Sequence, residues 1–343
     1  MMEGEIMKKV HLSMGSLVIF AFIGLVVLLV GPPGGVSAAE KIIFQFDWLP
    51  YGKHVGYYAA KERGFYKAVG LDVTFERGYG GSSSSVGAGK QDYGIDCVVC
   101  IIVARNKNVP VKLVSMWHER LMMVVYALKS SGIRTPKDLE GRKIGGTAGA
   151  AAEVVFPVFA EAVGIKKSSF VPMRPAAKNP SLLAKKMDAI ITYATVGVVL
   201  RVKAKKKGEE VVEFLYGDYG VRLAQDGIIT HDKTMAEKPG QVRRLVAASL
   251  KGNAWAIGHP EEGVDIFMRY VPEASRKMTR GSWNLSSRFQ VWGNLKKHGL
   301  GYIDREIVKS TRKTAARIYK MKYPPPLKDI YTTKFLPDPL PRA

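Results

Sequence analysis

Twice in this chain a short apolar run is followed by a small-residue turn that feeds a helix, and that repetition most constrains the fold. KIIFQFDW reads as a first strand, and Val55, Tyr58, Ala59, Phe65 and Val69 recur at helical spacing after it. Gly70 closes that helix, and LDVTFE alternates as a second strand. GYGGSSSSVGAGKQDYGID then gives a Gly/Ser turn, a short helix and another strand start. VPVKLVSMWH and LMMVVYALK are nearly continuous in apolar residues, as strands buried on both faces must be. The theme returns after residue 133. RKIGGT is a strand, a Gly/Ala turn feeds a helix to Gly164, and SFVPMRP, a helix from Asn179 and MDAIITYAT complete a second system. Two β-α-β systems in succession predict two α/β lobes across a cleft. From Glu237 the chain reads as largely helical, with a helix around Trp283–Gly299, and the Pro-rich end reads as irregular.

The first residues stand apart from this pattern. Lys8 and Lys9 precede the apolar stretch Leu17–Val30, and GPPGGVSAAE follows, with Val36 and Ala38 fitting a small-x-small cleavage site. That order is a secretory signal. The stretch is shorter than the roughly 20 residues a membrane span needs. Residues 1–38 are therefore expected to be a signal peptide cut near Ala38/Ala39, releasing the remainder to the periplasm.

Charge narrows the partners. Lys and Arg number 52 against 30 Asp and Glu, a net +22. The basic residues are scattered, and the densest run, RVKAKKK at 201–207, reads as a solvated helix end before Gly208. A basic groove interleaved with aromatics is not visible, so no nucleic-acid partner is expected. Cys97 and Cys100 are too few for a structural zinc site, and the VV between them is atypical of a redox pair. They read as structural, two small side chains packed in a helix, with an oxidised pair left open by the compartment.

Catalytic motifs are scarce: no G-x-S-x-G, H-E-x-x-H, Walker A or G-x-G-x-x-G after a strand occurs. The turns carry the chemistry instead. Trp48, Tyr51 and His54 lie on the first, Ser82–Ser85 on the second, and Trp117, His118 and Glu119 on the third. Gly145–Ala150, with Thr147 and Gly149, form the fourth; Tyr193 marks the fifth, Asp218 and Tyr219 the sixth. Trp and Tyr rings offer flat faces to a planar ligand. The Ser run and the Gly145–Ala150 segment place N–H groups at helix starts, which suits phosphate, sulfonate or carboxylate.

DWLPYGKH, AAKERGFYKAVGLDVTF, GAGKQDYGI, TPKDLEGRKIG, KMDAIITY, EKPGQVRRLVAASLKGNAWAIGHPEEGV and YTTKFLP occur in that order over nearly the whole chain. Together they resemble exported binding proteins of ABC importers, in the group of nitrate, sulfonate, taurine and thiamine-pyrimidine-precursor binders. The resemblance implies a two-lobed periplasmic binding protein fold of type II, with two crossovers and a ligand cleft between the lobes. Lobe one would be 39–127 plus 229–343, and lobe two 128–228, with crossovers near Tyr126 and Gly227. It implies a monomer, a small-molecule ligand, an inner-membrane ABC permease as partner, and neither cofactor nor metal. Trp-x-Pro…His is most like the thiamine-pyrimidine branch, where an aromatic turn lines the site for a flat ring. That branch includes a pyrimidine synthase with a pyridoxal-phosphate Lys and a consumed His; these positions fall at Asp96 and Cys100, so the chain lacks both. The acidic residue of pyrimidine sites falls near Ala194. Expected ligand contacts are Trp48, His54, Ser82, Ser83, Trp117, Thr147, Gly149, Tyr193 and Asp218, with no catalytic residue. The expected ligand is a small planar or anionic nutrient.

Overall fold

Among the described residues, ten strands divide between two five-stranded sheets. The computed structural model describes residues 38–78, 82–148 and 150–343. All of the expected signal segment except Ala38 lies outside the described residues, as does Gly149.

The first sheet holds β1 (Glu40–Gln45), β2 (Leu71–Glu76), β3 (Tyr93–Cys97), β4 (Val111–His118) and β10 (Asp226–His231), in the order β2-β1-β3-β10-β4. β1 runs parallel to β2 and β3, while β10 returns antiparallel between β3 and β4. The second sheet holds β5 (Met123–Leu128), β6 (Lys143–Gly146), β7 (Ser169–Pro172), β8 (Ala189–Tyr193) and β9 (Val211–Leu215), in the order β7-β6-β8-β5-β9. There β5 is the antiparallel strand, between β8 and β9. The two sheets are thus built on one plan, as the repeated strand-turn-helix pattern requires.

The chain changes sheets after His118 and again before Asp226. The expected changeovers at 127/128 and 228/229 fall inside β5 and β10, whose full lengths pair within the second and first sheets respectively. An apolar run shows that a strand is buried, but not which strands it lies between. The two crossings hold each other. Met122 N–H donates to Gln225 Oε1 at 3.0 Å, and Arg120 pairs with Asp218.

The helical C-terminal third packs largely on the first lobe. Val55–Glu62 lies against Pro239–Gly258, where a Cβ on Gly252 would stand 2.3 Å from the Ala60 Cβ, so only glycine permits that approach. The expected helix around Trp283–Gly299 is two, Arg276–Gln290 and Gly293–His298, broken at Val291 and Trp292, with Gly293 at φ +57°. The Pro-rich end contributes a short helix, Leu327–Ile330, and a bridge from Tyr331 to Leu113 of β4. One apolar cluster runs through both lobes, from Ile101 and Leu113 to Val125, Phe159 and Tyr216. Its continuity ties the lobes together at the crossings.

Candidate functional site at the facing sheet edges

The carboxyl ends of β1, β3 and β4 and the start of β10 share one edge of the first sheet. Ligands of open α/β sheets bind at such edges. Asp96, His118 and Asp226 arrive there from three strands and Asp47 from the loop after β1; β3 to β10 register sets Asp226 opposite Cys97, and β10 to β4 register sets it opposite His118. On the second sheet the matching edge carries Thr147 after β6 and Tyr193 at the end of β8, with Met123 paired to Tyr193.

Lys53 organises the first edge. Its side chain is 2 % exposed, and its ammonium donates to Asp47 Oδ2 at 2.5 Å and to Asp226 Oδ2 at 2.7 Å. Burial alone would lower the ammonium's pKa, but Asp226 and Asp47 hold it above the ordinary Lys value. Burial would raise both carboxyls. Lys53 and His54 instead hold Asp47 below the usual carboxylate range, and Lys53 and His118 do the same for Asp226. A buried pair of this kind persists only because each charge is met by another and by hydrogen bonds.

His54 is fully buried and stacks on Phe46 at 4.2 Å between ring centroids. Burial lowers its pKa, so it is neutral at pH 7. Its Nδ1 accepts the Tyr51 N–H at 3.3 Å, which leaves the proton on Nε2 to donate to Asp47 Oδ1 at 3.0 Å. His54 thus orients Asp47.

His118 Nδ1 meets Asp226 Oδ1 at 2.8 Å, and His118 Nε2 meets Ser286 Oγ at 2.8 Å. That order of contacts is the one acyl-transfer enzymes use. Here all three side chains are buried and Ser286 sits inside Arg276–Gln290, where neighbouring N–H groups serve the helix's own carbonyls and form no oxyanion hole. The chain of bonds anchors that helix instead. The same helix reaches the second lobe, where Ser282 Oγ donates to Thr195 O at 2.9 Å.

The expected anion cradles hold carboxylates of the protein itself. Ser82 and Ser83 donate their N–H groups to Asp96 Oδ2 at 3.1 and 2.8 Å, and Ser82 Oγ donates to Ile95 O at 2.7 Å. Thr147 N–H donates to Glu153 Oε1 at 2.7 Å, and Lys178 salt-bridges the same oxygen at 3.3 Å. Burial pushes Asp96 up to about 6. The sequence shows the N–H groups but not their acceptors: Asp96 comes from β3, and Glu153 from the first turn of the helix that follows Thr147.

Trp48 and Tyr193 are half-buried, on the loop after β1 and at the end of β8. Burial raises the Tyr193 hydroxyl above its usual range, and the helix Arg276–Gln290 brings the two edges together, with Ser282 against Gly52 of the first turn and bonded to Thr195, two residues beyond Tyr193. Trp117 lies in the first-lobe core, stacked on Tyr57 at 4.0 Å, and Asp218 lies half-exposed in its pair with Arg120. The site therefore gathers Trp48, His54, Ser82, Ser83, Thr147 and Tyr193 along two edges and sets Trp117 and Asp218 behind them. Asp47, Lys53, Asp96 and Asp226 were not picked out from the sequence; a signal existed only in DWLPYGKH, where an acid and a base flank the Trp turn.

Cys97 and Cys100 form a disulfide, with Cys97 as the N-cap of helix Val98–Asn106, so they are not two thiols packed inside a helix. The sulfurs offer no thiolate to a metal in this state. A cavity of about 510 Å3 lined by Phe156, Pro157, Ala160, Glu161, Ile165 and Lys166 shares no lining residue with these edges.

Comparison with known proteins yields one family and several relatives. The family model described as NMT1/THI5 like matches residues 52–263. The chain is 24 % identical over 315 residues to the riboflavin-binding protein RibY of Chloroflexus aurantiacus, covering 89 % of this chain and 88 % of that one. It is 24 % identical over 244 residues to the formylaminopyrimidine-binding protein of Halalkalibacterium halodurans, covering 70 % and 73 %. Among solved structures, the periplasmic aliphatic sulphonate binding protein SsuA from Escherichia coli aligns with a TM-score of 0.64 at 13 % identity, over 82 % of this chain and 87 % of that one.

Proposed function

We propose that this chain, which belongs to the NMT1/THI5-like family, is an exported solute-binding protein that closes on a small planar nitrogen heterocycle and delivers it to an ABC importer. The observation that carries the ligand class is the occupancy of the helix-start N–H groups. Those of Ser82, Ser83 and Thr147 donate to Asp96 and Glu153, so they are not free for a sulfonate. Lys53 is likewise held between Asp47 and Asp226. What the edges present to a ligand is the flat rings of Trp48 and Tyr193 and one partly exposed carboxylate, Asp47, whose oxygens keep lone pairs beyond the bonds from Lys53 and His54; these suit a ring bearing N–H groups. The names of two relatives, binders of riboflavin and of a formylaminopyrimidine, support the same class.

In this reading Trp48 and Tyr193 cover the ring, Asp47 accepts from it, and Thr147 Oγ1, buried and without a partner among the described residues, completes the second-lobe side. His54 holds Asp47, while Ser82 and Ser83 shape the edge through Asp96. Residues 1–38 direct export, and the mature chain works in the periplasm as a monomer. A micromolar ligand needs only about −8 kcal/mol, within reach of one stacked ring and a few charge-assisted hydrogen bonds. A synthase-type reaction is disfavoured by Asp96 and by Cys100, which is tied in the disulfide.

The test is calorimetry on residues 39–343 with riboflavin, formylaminopyrimidine and an alkanesulfonate. Micromolar or tighter binding of a heterocycle supports the reading. Binding of the sulfonate alone would replace it.

A further inference from the structure

The disulfide lies where the first edge turns into helix Val98–Asn106, next to a buried acid. Both sulfurs and a carboxylate oxygen of Asp96 lie within 4.8 Å of one another. The two sulfurs are not equivalent. Cys97 is 7 % exposed and its Sγ accepts the Cys100 N–H at 2.9 Å, whereas Cys100 is half-buried and the more exposed residue of the two. A thiolate formed at Cys97 would keep that N–H and sit at the helix start, which makes it the better leaving group. Asp96 accepts N–H groups from Ser82, Ser83 and Cys97, which fix the carboxyl beside the sulfurs. Asp47 bears on it from the end of β1, and β10 sets Asp226, with Lys53 and His118, opposite Cys97.

We propose that Cys97–Cys100 is an exchangeable disulfide, reduced by dithiols through attack at Cys100, with Asp96 as the proton donor to the departing Cys97 sulfur. The reductant thiolate bonds to Cys100 Sγ as the Cys97–Cys100 bond breaks, and the electron pair leaves on Cys97 Sγ, which takes the Asp96 proton. The reductant's second thiol then displaces Cys100, gives its proton to Asp96 and closes the reductant's own disulfide, while Cys100 leaves as a thiolate that takes a proton from water. The protein gains two electrons and two protons, and the dithiol loses two electrons and two protons, the first of them shed to water when its attacking thiol ionised. The acid stands ready because burial raises it to about 6, so the carboxyl is protonated below that pH and charged above it.

The experiment is reduction of the folded protein by dithiothreitol across pH 5 to 7, with released thiols counted by maleimide labelling and the rate expressed per dithiothreitol thiolate. In wild type that rate should fall by about tenfold as pH rises through 6. In Asp96→Asn it should stay level. A merely structural Asp96 would leave the two profiles parallel, which overturns the proposal, as does a disulfide that yields only on unfolding. A second measurement needs no variant. Acid-quenched reaction with a monothiol should give a mixed disulfide on Cys100 with Cys97 free, and the opposite assignment by mass spectrometry overturns the mechanism.

Discussion

Lys53 Nζ lies 2.7 Å from Asp226 Oδ2, joining residues 173 positions apart at the edge where the chain returns to its first sheet. Asp226 also takes His118, and through it Ser286 of the helix that spans both lobes. One carboxylate therefore connects the first turn, the second crossing and the C-terminal helices. Asp226→Asn removes its charge while Lys53 and His118 stay buried. Breaking a buried pair from one side costs about 3–5 kcal/mol, so the melting temperature should fall by roughly 10 °C. An unchanged melt would show that Asp47 alone suffices for Lys53.

Trp48, on the loop after β1, is half-buried, as is Tyr51 on the same turn. Trp48→Ala should weaken binding of the heterocycle by about 30-fold or more, the size of an aromatic hot spot, with little change in melting temperature. Calorimetry with the same ligands reads it, and undiminished affinity would remove Trp48 from the site.

Asp96 makes stability depend on pH in a direction opposite to its neighbours. A carboxyl raised from 3.8 to about 6 on folding stabilises the native state below the lower value and loses that contribution as pH rises through the higher. Between pH 4 and 6 wild type should lose about 2 kcal/mol relative to Asp96→Asn. Asp47 and Asp226, held low by Lys53, contribute above the ordinary carboxylate range and lose stability as pH falls below it. Denaturant melts of both proteins at several pH values check the sign; a constant difference would contradict it.

Gly52 sits under the bridging helix. A Cβ there would stand 2.3 Å from Thr279 O, 2.6 Å from Ser282 Cβ and 2.7 Å from Trp283 N. Gly52→Ala must push the helix Arg276–Gln290 away, at about 1–3 kcal/mol for overpacking. Ser282, which reaches Thr195 of the second lobe, moves with it. Both melting temperature and ligand affinity should drop. A loss of stability without loss of affinity would separate the helix from lobe closure.

Two sheets on one plan were legible in the sequence because each strand-turn-helix unit is a local pattern: period two for LDVTFE, helical spacing for Val55 to Val69, and glycine or small residues at the turns. The Trp48 turn was legible for the same reason. Which strands neighbour one another was not, and so β5 and β10 were divided at the wrong places along their lengths. Periodicity records the burial of a strand and carries nothing about its partners. The fate of the N–H groups at Ser82 and Ser83 was hidden as well: a helix start advertises donors, but their acceptor Asp96 is set beside them only by the pairing of β3 in the sheet, whereas Thr147 N–H finds Glu153 six residues on, in the first turn of the helix its own turn feeds. Only the tertiary structure could bring Lys53 to Asp226, because a charge pair's energy depends on distance in space and on burial, and neither is written into separation along the chain.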